Sequence, residues 1–217
     1  MIKTMSLLDI LIRDNWLKTP EIIKAFATIK RSDFLPESLK DLAEINEALP
    51  IGFGQTISQP LVVAFMIELL KPEFGNKVLD IGSGSGWTSA LLGYLVAGRD
   101  FEADKENLKG KVIGLEIIPE LVDFGRKNVA KYNFIEKGIV EIVCADGSHG
   151  YPQEAPFDRI LVSASAQEAP QKLKDQLKIG GRLVIPINES IWLFEKKSAS
   201  NFESQEFPGF VFVPLIS

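Results

Sequence analysis

The residues best suited by type and spacing to do chemistry are three glycines, Gly82, Gly84 and Gly86, placed just after an apolar run that carries Asp80. Residues 78–86 read VLDIGSGSG and WTSALLGYLVA follows at once, a pattern of strand, sharp turn and helix. Glycine lets backbone approach a ligand and take dihedrals that a Cβ forbids, and the helix start presents N–H groups without intrahelical partners. Such turns also join strands to helices with no ligand. An acidic strand end before three spaced glycines favours a nucleotide-type ligand over that plain reading.

Spacing narrows the ligand. A dinucleotide fingerprint has glycine at the sixth position counted from Gly82, where this chain has Trp87. A diphosphate needs close backbone approach there. A cofactor with adenosine and no phosphate needs room only for its ribose and amino-acid portions, and S-adenosylmethionine fits that description.

An alternating α/β framework must hold these residues. Residues 111–117, 140–145, 159–162 and 182–187 read as strands, and residues 120–132 as an amphipathic helix. That alternation implies parallel pairing with right-handed crossovers. Residues 191–196 and 210–215 lack a helical pattern between them and are expected to form a terminal antiparallel pair, with Phe210 and Phe212 as ordinary strand packing. Asp80, Glu116 and Asp146 then end successive strands along one rim, where an open parallel sheet binds its ligand. Glu116 is the expected acceptor for both ribose hydroxyls, the charged stretch 99–111 looping out between it and the glycines. Asp80 either joins it or only braces the turn.

Ahead of this unit, residues 6–29 carry helical apolar spacing, divided into two helices at Thr19 and Pro20, with Thr19 a candidate N-cap. Residues 31–36 and the acidic stretch 41–47 read as a short helix and connector. In LPIGFGQTISQPLVVAFMIELL, residues 49–70, Ser58 precedes Pro60 at the start of an apolar helix, and spacing alone favours Ser58 as its cap.

With 217 residues, 46% of them apolar, the chain can bury one sizeable core. One domain is expected over 1–217, with 1–60 as a covering segment and 61–217 as the cofactor-binding core. A net charge of -5 argues against nucleic acid as the main partner. One cysteine, Cys144, and one histidine, His149, leave no disulfide and no zinc set. Cys144 is expected to be a small buried strand residue, and His149 a solvated loop residue with no role. No run reaches membrane-spanning length, so the expectation is a cytoplasmic protein with no membrane or metal partner.

Five tracts together resemble the protein-L-isoaspartate (D-aspartate) O-methyltransferase family across nearly the whole chain: GQTISQP at 54–60, VLDIGSGSG at 78–86, CADGSHGYPQEAPFDRILVSASA at 144–166, LKIGGRLVIPI at 177–187 and FVFVPL at 210–215. The resemblance implies an α/β, Rossmann-like S-adenosylmethionine-dependent methyltransferase fold, with a mainly parallel seven-stranded sheet, a C-terminal antiparallel pair and N-terminal helices. It implies S-adenosyl-L-methionine contacts from Gln55, Thr56, Ile57, Ser58, Gly82, Ser83, Gly84, Ser85, Gly86, Glu116, Ile117, Asp146 and Gly147, with Asp146 on the adenine side. Substrate contacts are implied for Ser58, Val162, Ser163, Ala164, Ser165, Val213, Pro214 and Leu215, with Ser58 as the catalytic orienter of the carboxylate. Isoaspartyl peptides and proteins are the implied partners. Phe53 departs from the resemblance, standing where the family often has a polar residue, and residues 198–208 match it weakly.

The implied chemistry agrees with the scarcity of candidate bases. An isoaspartyl carboxylate is already ionised near neutrality, so no proton need be removed, and catalysis reduces to placement and exclusion of water. Two other readings are a methyltransferase for another small carboxylate or oxygen nucleophile, and a non-catalytic relative that binds the cofactor or a partner. Ser58 within an intact GQTIS tract argues against both.

Overall fold

A computed structural model describes residues 5–98 and 110–212. It opens with α1 (Leu7–Arg13) and α2 (Pro20–Thr28). Ser6 and Asp9 cap α1 reciprocally, each side chain accepting the other's backbone N–H. Thr19 does occupy the N-cap position of α2, but its hydroxyl makes no cap. Thr19 Oγ1 instead donates to Glu68 Oε2 at 2.8 Å, and the N–H groups of Lys18 and Thr19 donate to Glu68 Oε1. A partner so distant in sequence outcompetes the local cap and fastens the α2 entry to the next helix layer.

Two 3-10 turns, Arg31–Phe34 and Glu37–Leu42, lead into a hairpin of β1 (Leu49–Gly52) and β2 (Gln55–Ile57), then α3 (Pro60–Leu70). The remainder is β3 (Lys77–Ile81), α4 (Trp87–Ala97), β4 (Lys111–Glu116), α5 (Pro119–Ala130), β5 (Val140–Cys144), β6 (Phe157–Val162), α6 (Gln171–Asp175), β7 (Leu177–Ile187), β8 (Ser190–Lys196) and β9 (Phe202–Pro208). The main sheet runs β5-β4-β3-β6-β7-β8-β9. Pairing is parallel from β5 to β7 and antiparallel from β7 to β9. The chain lays β4 and β5 outward on one flank of β3, then returns to lay β6 on the other. That reversal opens a crevice over the carboxyl ends of the strands.

Burial explains why the central strands read as near-continuous apolar runs. Val78, Leu79, Val112, Ile113 and Ile160 are fully buried, as expected of parallel strands covered on both faces. Every residue of α4 but Tyr94 is buried. On α5, Leu121, Val122, Gly125, Asn128 and Val129 form the single inward face.

Three expectations need correction. The terminal antiparallel pair is not 191–196 with 210–215: β8 pairs with β9, placing Ser190 opposite Pro208 and Lys196 opposite Phe202. Phe210 lies outside a strand and stacks on Phe65 of α3 with ring centroids 5.3 Å apart, while Val213, Pro214 and Leu215 lie outside the described residues. Second, β7 begins at Leu177, ahead of residue 182, because Gly180, at φ 79°, falls at an irregularity within the strand and does not end it. Third, Cys144 is exposed, since it ends β5, the edge strand of the sheet.

Candidate active site

A cleft of about 640 Å³, its open mouth included, lies over the carboxyl ends of β3, β4 and β6. Its lining combines Gln55, Thr56 and Ser58 with Ile81, Gly82 and Gly84, then Leu115, Glu116, Ile117 and Ile118, and finally Ala145, Gly147, Ser163 and Ala164. A smaller adjoining cavity shares Thr56, Ser58, Gly82, Gly84 and Ser163 and adds Ile57, Ser83, Ser85, Trp87 and Thr88.

Asp80 supports the glycine turn from beneath. It is fully buried, and its Oδ2 accepts the hydroxyls of Thr88 at 2.7 Å and Ser89 at 2.6 Å, both in the first turn of α4. Burial pushes its carboxyl up to about 6, with Glu116 adding to the rise and the two hydroxyls opposing it. Asp80 is therefore a brace and does not line the cleft.

Above it, Gly86 takes φ 87°, and a Cβ there would stand 2.8 Å from Val129 and 3.0 Å from the Gly125 carbonyl oxygen. Gly125 in turn lets α5 lie against the Gly84 carbonyl, and Asn128 Nδ2 donates to the Ser85 carbonyl at 3.1 Å. The turn is thus clamped between α4 and α5. Gly86 serves that packing and does not line the cleft.

Glu116 ends β4 and is 6% exposed. Its Oε1 accepts the N–H groups of Ile117 and Ile118 at 2.9 and 3.0 Å, and its Oε2 accepts that of Gly84 at 2.9 Å. An ionised carboxylate offers about four acceptor sites, so one remains, on Oε2.

On the opposite wall, Ser58 does not cap α3. Gln59 holds the N-cap position without a side-chain cap bond, and Ser58 Oγ has no hydrogen-bond partner among the described residues. The Ser58 main chain is fixed instead: its carbonyl accepts from Arg31 Nη2 at 3.2 Å. Arg31, itself 6% exposed, also donates to the carbonyls of Ala43, Ile45 and Glu47 and lies 5.5 Å from the centroid of the Trp87 ring. Burial lowers its guanidinium to about 10, Glu44 opposing that shift. One planar fork thereby holds four carbonyls of the segment that leads to Ser58.

Of the remaining sequence-derived candidates, Gln55, Thr56, Gly82, Gly84, Ile117, Gly147, Ser163 and Ala164 line the cleft, and Ile57, Ser83 and Ser85 line the smaller cavity. Asp146 is exposed, and its carboxylate accepts Ser148 N–H at 2.8 Å and Ser148 Oγ–H at 3.0 Å, which lowers its titration. Val162 is buried in β6, and Ser165 donates to the Asn188 carbonyl. Neither lines the cleft. Sequence reasoning missed Ile81, Leu115, Ile118 and Ala145, which adjoin the strand ends and were legible from the carboxyl-end rule. Arg31 and Gly125 carried no local signal.

The cleft fits an adenosine-bearing cofactor without a diphosphate. Trp87, 3% exposed, fills the position where a diphosphate site has glycine. Gly147 lets its loop pack closely on the end of β3, since a Cβ there would come within 2.4 Å of Ile81. Glu116 would hold a ribose hydroxyl, and the 82–86 turn the amino-acid portion.

Comparison with known proteins agrees with this geometry. The chain is 42% identical over 205 residues to the protein-L-isoaspartate O-methyltransferase of Methanopyrus kandleri, covering 93% of this chain and 85% of that one. Against its namesake from Staphylothermus marinus it is 41% identical over 213 residues, 96% and 92% of the two chains. The fold superposes on the Plasmodium falciparum PCMT crystallised with S-adenosyl-L-homocysteine with a TM-score of 0.84 and 26% identity, covering 97% of this chain and 96% of that one. The family model of protein-L-isoaspartate(D-aspartate) O-methyltransferase matches residues 2–217, and the chain belongs to that family.

Proposed function

We infer that this enzyme transfers a methyl group from S-adenosylmethionine to the free carboxylate of L-isoaspartyl residues, and of D-aspartyl residues, in damaged proteins and peptides. The observation that carries the chemistry is the make-up of the cleft: among the described residues Glu116 is its one titratable lining residue, and three backbone N–H groups already donate to that carboxylate. A lining whose one carboxylate, among the described residues, is committed to the glycine turn and the cofactor suits a nucleophile that is ionised before it arrives. A substrate carboxylate meets that condition near neutrality, whereas a hydroxyl does not.

When bound, the cofactor supplies an electrophilic methyl group on a positively charged sulfur. The chain's own part is placement. Ser58 Oγ, on the wall facing Gly82 and Gly84, donates to one carboxylate oxygen and aims the other along the cleft. Ser163 and Ala164, following β6, hold the substrate main chain. Ile117 and Ile118 at the mouth, with Ala164, exclude water. Fixing two reactants in line is worth roughly 7–11 kcal/mol in favourable cases, so these modest groups suffice.

Residues 1–217 act as one methyltransferase domain in this reading, with 1–60 covering the site; the Arg31 fork and the Glu68 tie to Thr19 support that division. No helix among the described residues is long and apolar enough to cross a membrane, and none of their acidic, cysteine and histidine side chains cluster as a metal site. A cytoplasmic protein acting without metal or nucleic acid is the corresponding proposal. The test is transfer of labelled methyl to an isoaspartyl peptide and to its ordinary aspartyl twin. Labelling of the isoaspartyl peptide alone is expected, and equal labelling would overturn the reading.

A further inference from the structure

The β1–β2 hairpin turns on two residues, Phe53 and Gly54, because Gly52 pairs directly with Gln55. Both have positive φ, 54° and 73°. A two-residue turn of that hand is served by Asn-Gly or Gly-Gly, since its first position holds a left-handed backbone that a Cβ resists. An aromatic residue there is a steric outlier. Nor does packing within the fold account for it, as Phe53 is 59% exposed. Strain of this kind, together with an apolar ring left in water, points to a use outside the fold.

The hairpin sets where that use lies. Ile51, 6% exposed, packs on the glycine turn, its Cδ1 3.3 Å from where a Gly84 Cβ would stand. From the tip, the chain runs straight into the cleft wall at Gln55, Thr56 and Ser58. At about 3.3 Å per extended residue, Phe53 stands roughly 10–16 Å from Ser58. A bound extended peptide covers that distance in about three to five residues.

We propose that Phe53 is a specificity residue, a platform at the cleft mouth for an apolar or aromatic side chain that lies three to five residues from the isoaspartyl residue. The proposal rests on the isoaspartyl methyltransferase reading above. Covering an exposed ring with an apolar side chain removes both from water, and the gain appears in KM because the contact is far from the transferred methyl.

A peptide series tests it, with one isoaspartyl residue in a Gly/Ser/Ala background and a single Leu or Phe walked from one to six residues away on either side. The wild-type enzyme should show a kcat/KM maximum of about threefold to tenfold three to five residues away on one side, carried by KM. Phe53→Gln should flatten that profile, and Phe53→Leu should restore most of it. Phe53→Asn should also flatten it and, having the residue type the turn prefers, should melt above wild type. A flat wild-type profile, a maximum that survives Phe53→Gln, or a Phe53→Asn variant that melts lower would overturn the proposal. So would weaker S-adenosylhomocysteine binding by Phe53→Gln with the peptide profile intact, which would assign the ring to the cofactor. If no isoaspartyl peptide were methylated while aspartyl peptides were, the underlying function would fall first, and this inference with it.

Discussion

Glu116 Oε2 accepts the backbone N–H of Gly84 at 2.9 Å, which joins the acid ending β4 to the turn that follows β3. Glu116 and the glycine turn are therefore one unit, and disturbing either moves both. Glu116→Ala should weaken S-adenosylmethionine binding by roughly 1–3 kcal/mol, the scale of a hydrogen bond to a charged group. It should also destabilise the fold, because three backbone N–H groups lose their acceptor. Glu116→Gln retains an acceptor oxygen and should lose less on both counts. Calorimetry and thermal melts read the two effects separately, and a folded Glu116→Ala variant with wild-type affinity would remove the assignment.

Ser58 is the simpler test of role. Its hydroxyl caps no helix, while its carbonyl is held by Arg31. Ser58→Ala should leave stability within about 0.5 kcal/mol, as for a substitution that removes no structural contact. The same variant should lose methyl transfer while still binding S-adenosylhomocysteine. An enzyme that melts about 1 kcal/mol less stable but turns over at the wild-type rate would restore the cap reading.

Much of the scaffold was legible because its parallel strands are covered on both faces, leaving uninterrupted apolar runs such as those through Val78 and Ile113. β9 escaped notice for the opposite reason. Edge strands shed apolar pattern, and residues 203–206 are all exposed, so FESQEFP reads as a polar loop. The strand expected over 182–187 begins earlier, at Leu177, with Gly180 inside β7. The rule of strand ends reached Glu116, which lines the cleft, but pointed equally to Asp80 and Asp146, which do not, while Gly147 and Ser163 followed only from the family resemblance. Nor was the sequence legible where a long-range partner decides a side chain's duty. Thr19 turns to Glu68, and Arg31 reaches the Ser58 carbonyl.

Asp80 gives a pH prediction whose sign is opposite to that of a salt-bridged acid. Its carboxyl rises from an ordinary 3.8 to about 6 in the folded protein, chiefly through burial. The folded state therefore holds this proton more tightly than the unfolded state does. Stability from this group is present below pH 3.8 and is lost as pH rises through the window to about 6. The loss is roughly 3 kcal/mol over the whole window. Asp14, Asp146, Glu154 and Glu195 are held low and act in the other direction, so the comparison must be with Asp80→Asn. The wild-type minus Asp80→Asn difference in urea-unfolding free energy should fall with rising pH, and a difference that is flat or rising would contradict a buried, strained carboxylate.

His149 bears most directly on mechanism, because it is the chain's one histidine and histidine is the side chain most often used as a general base. It is exposed, in the turn that the Gly150 N–H closes onto the Gly147 carbonyl, and its own carbonyl accepts from Gln176 Nε2 at 2.8 Å. The cleft takes Gly147 from this turn and not His149. A substrate carboxylate with an ordinary value near 4 is ionised from about pH 5 upward. The methyl-transfer step, measured in single turnovers at saturating cofactor, should then show no rising limb near pH 6.5. Replacing His149 with Gln removes the imidazole while keeping a polar side chain in the turn, and should change that step little. A loss of two or more powers of ten in a variant that still folds and binds S-adenosylhomocysteine is the usual scale for removing an acid-base catalyst. Such a loss would make His149 a proton acceptor and would require a hydroxyl or amine nucleophile in place of the isoaspartyl carboxylate.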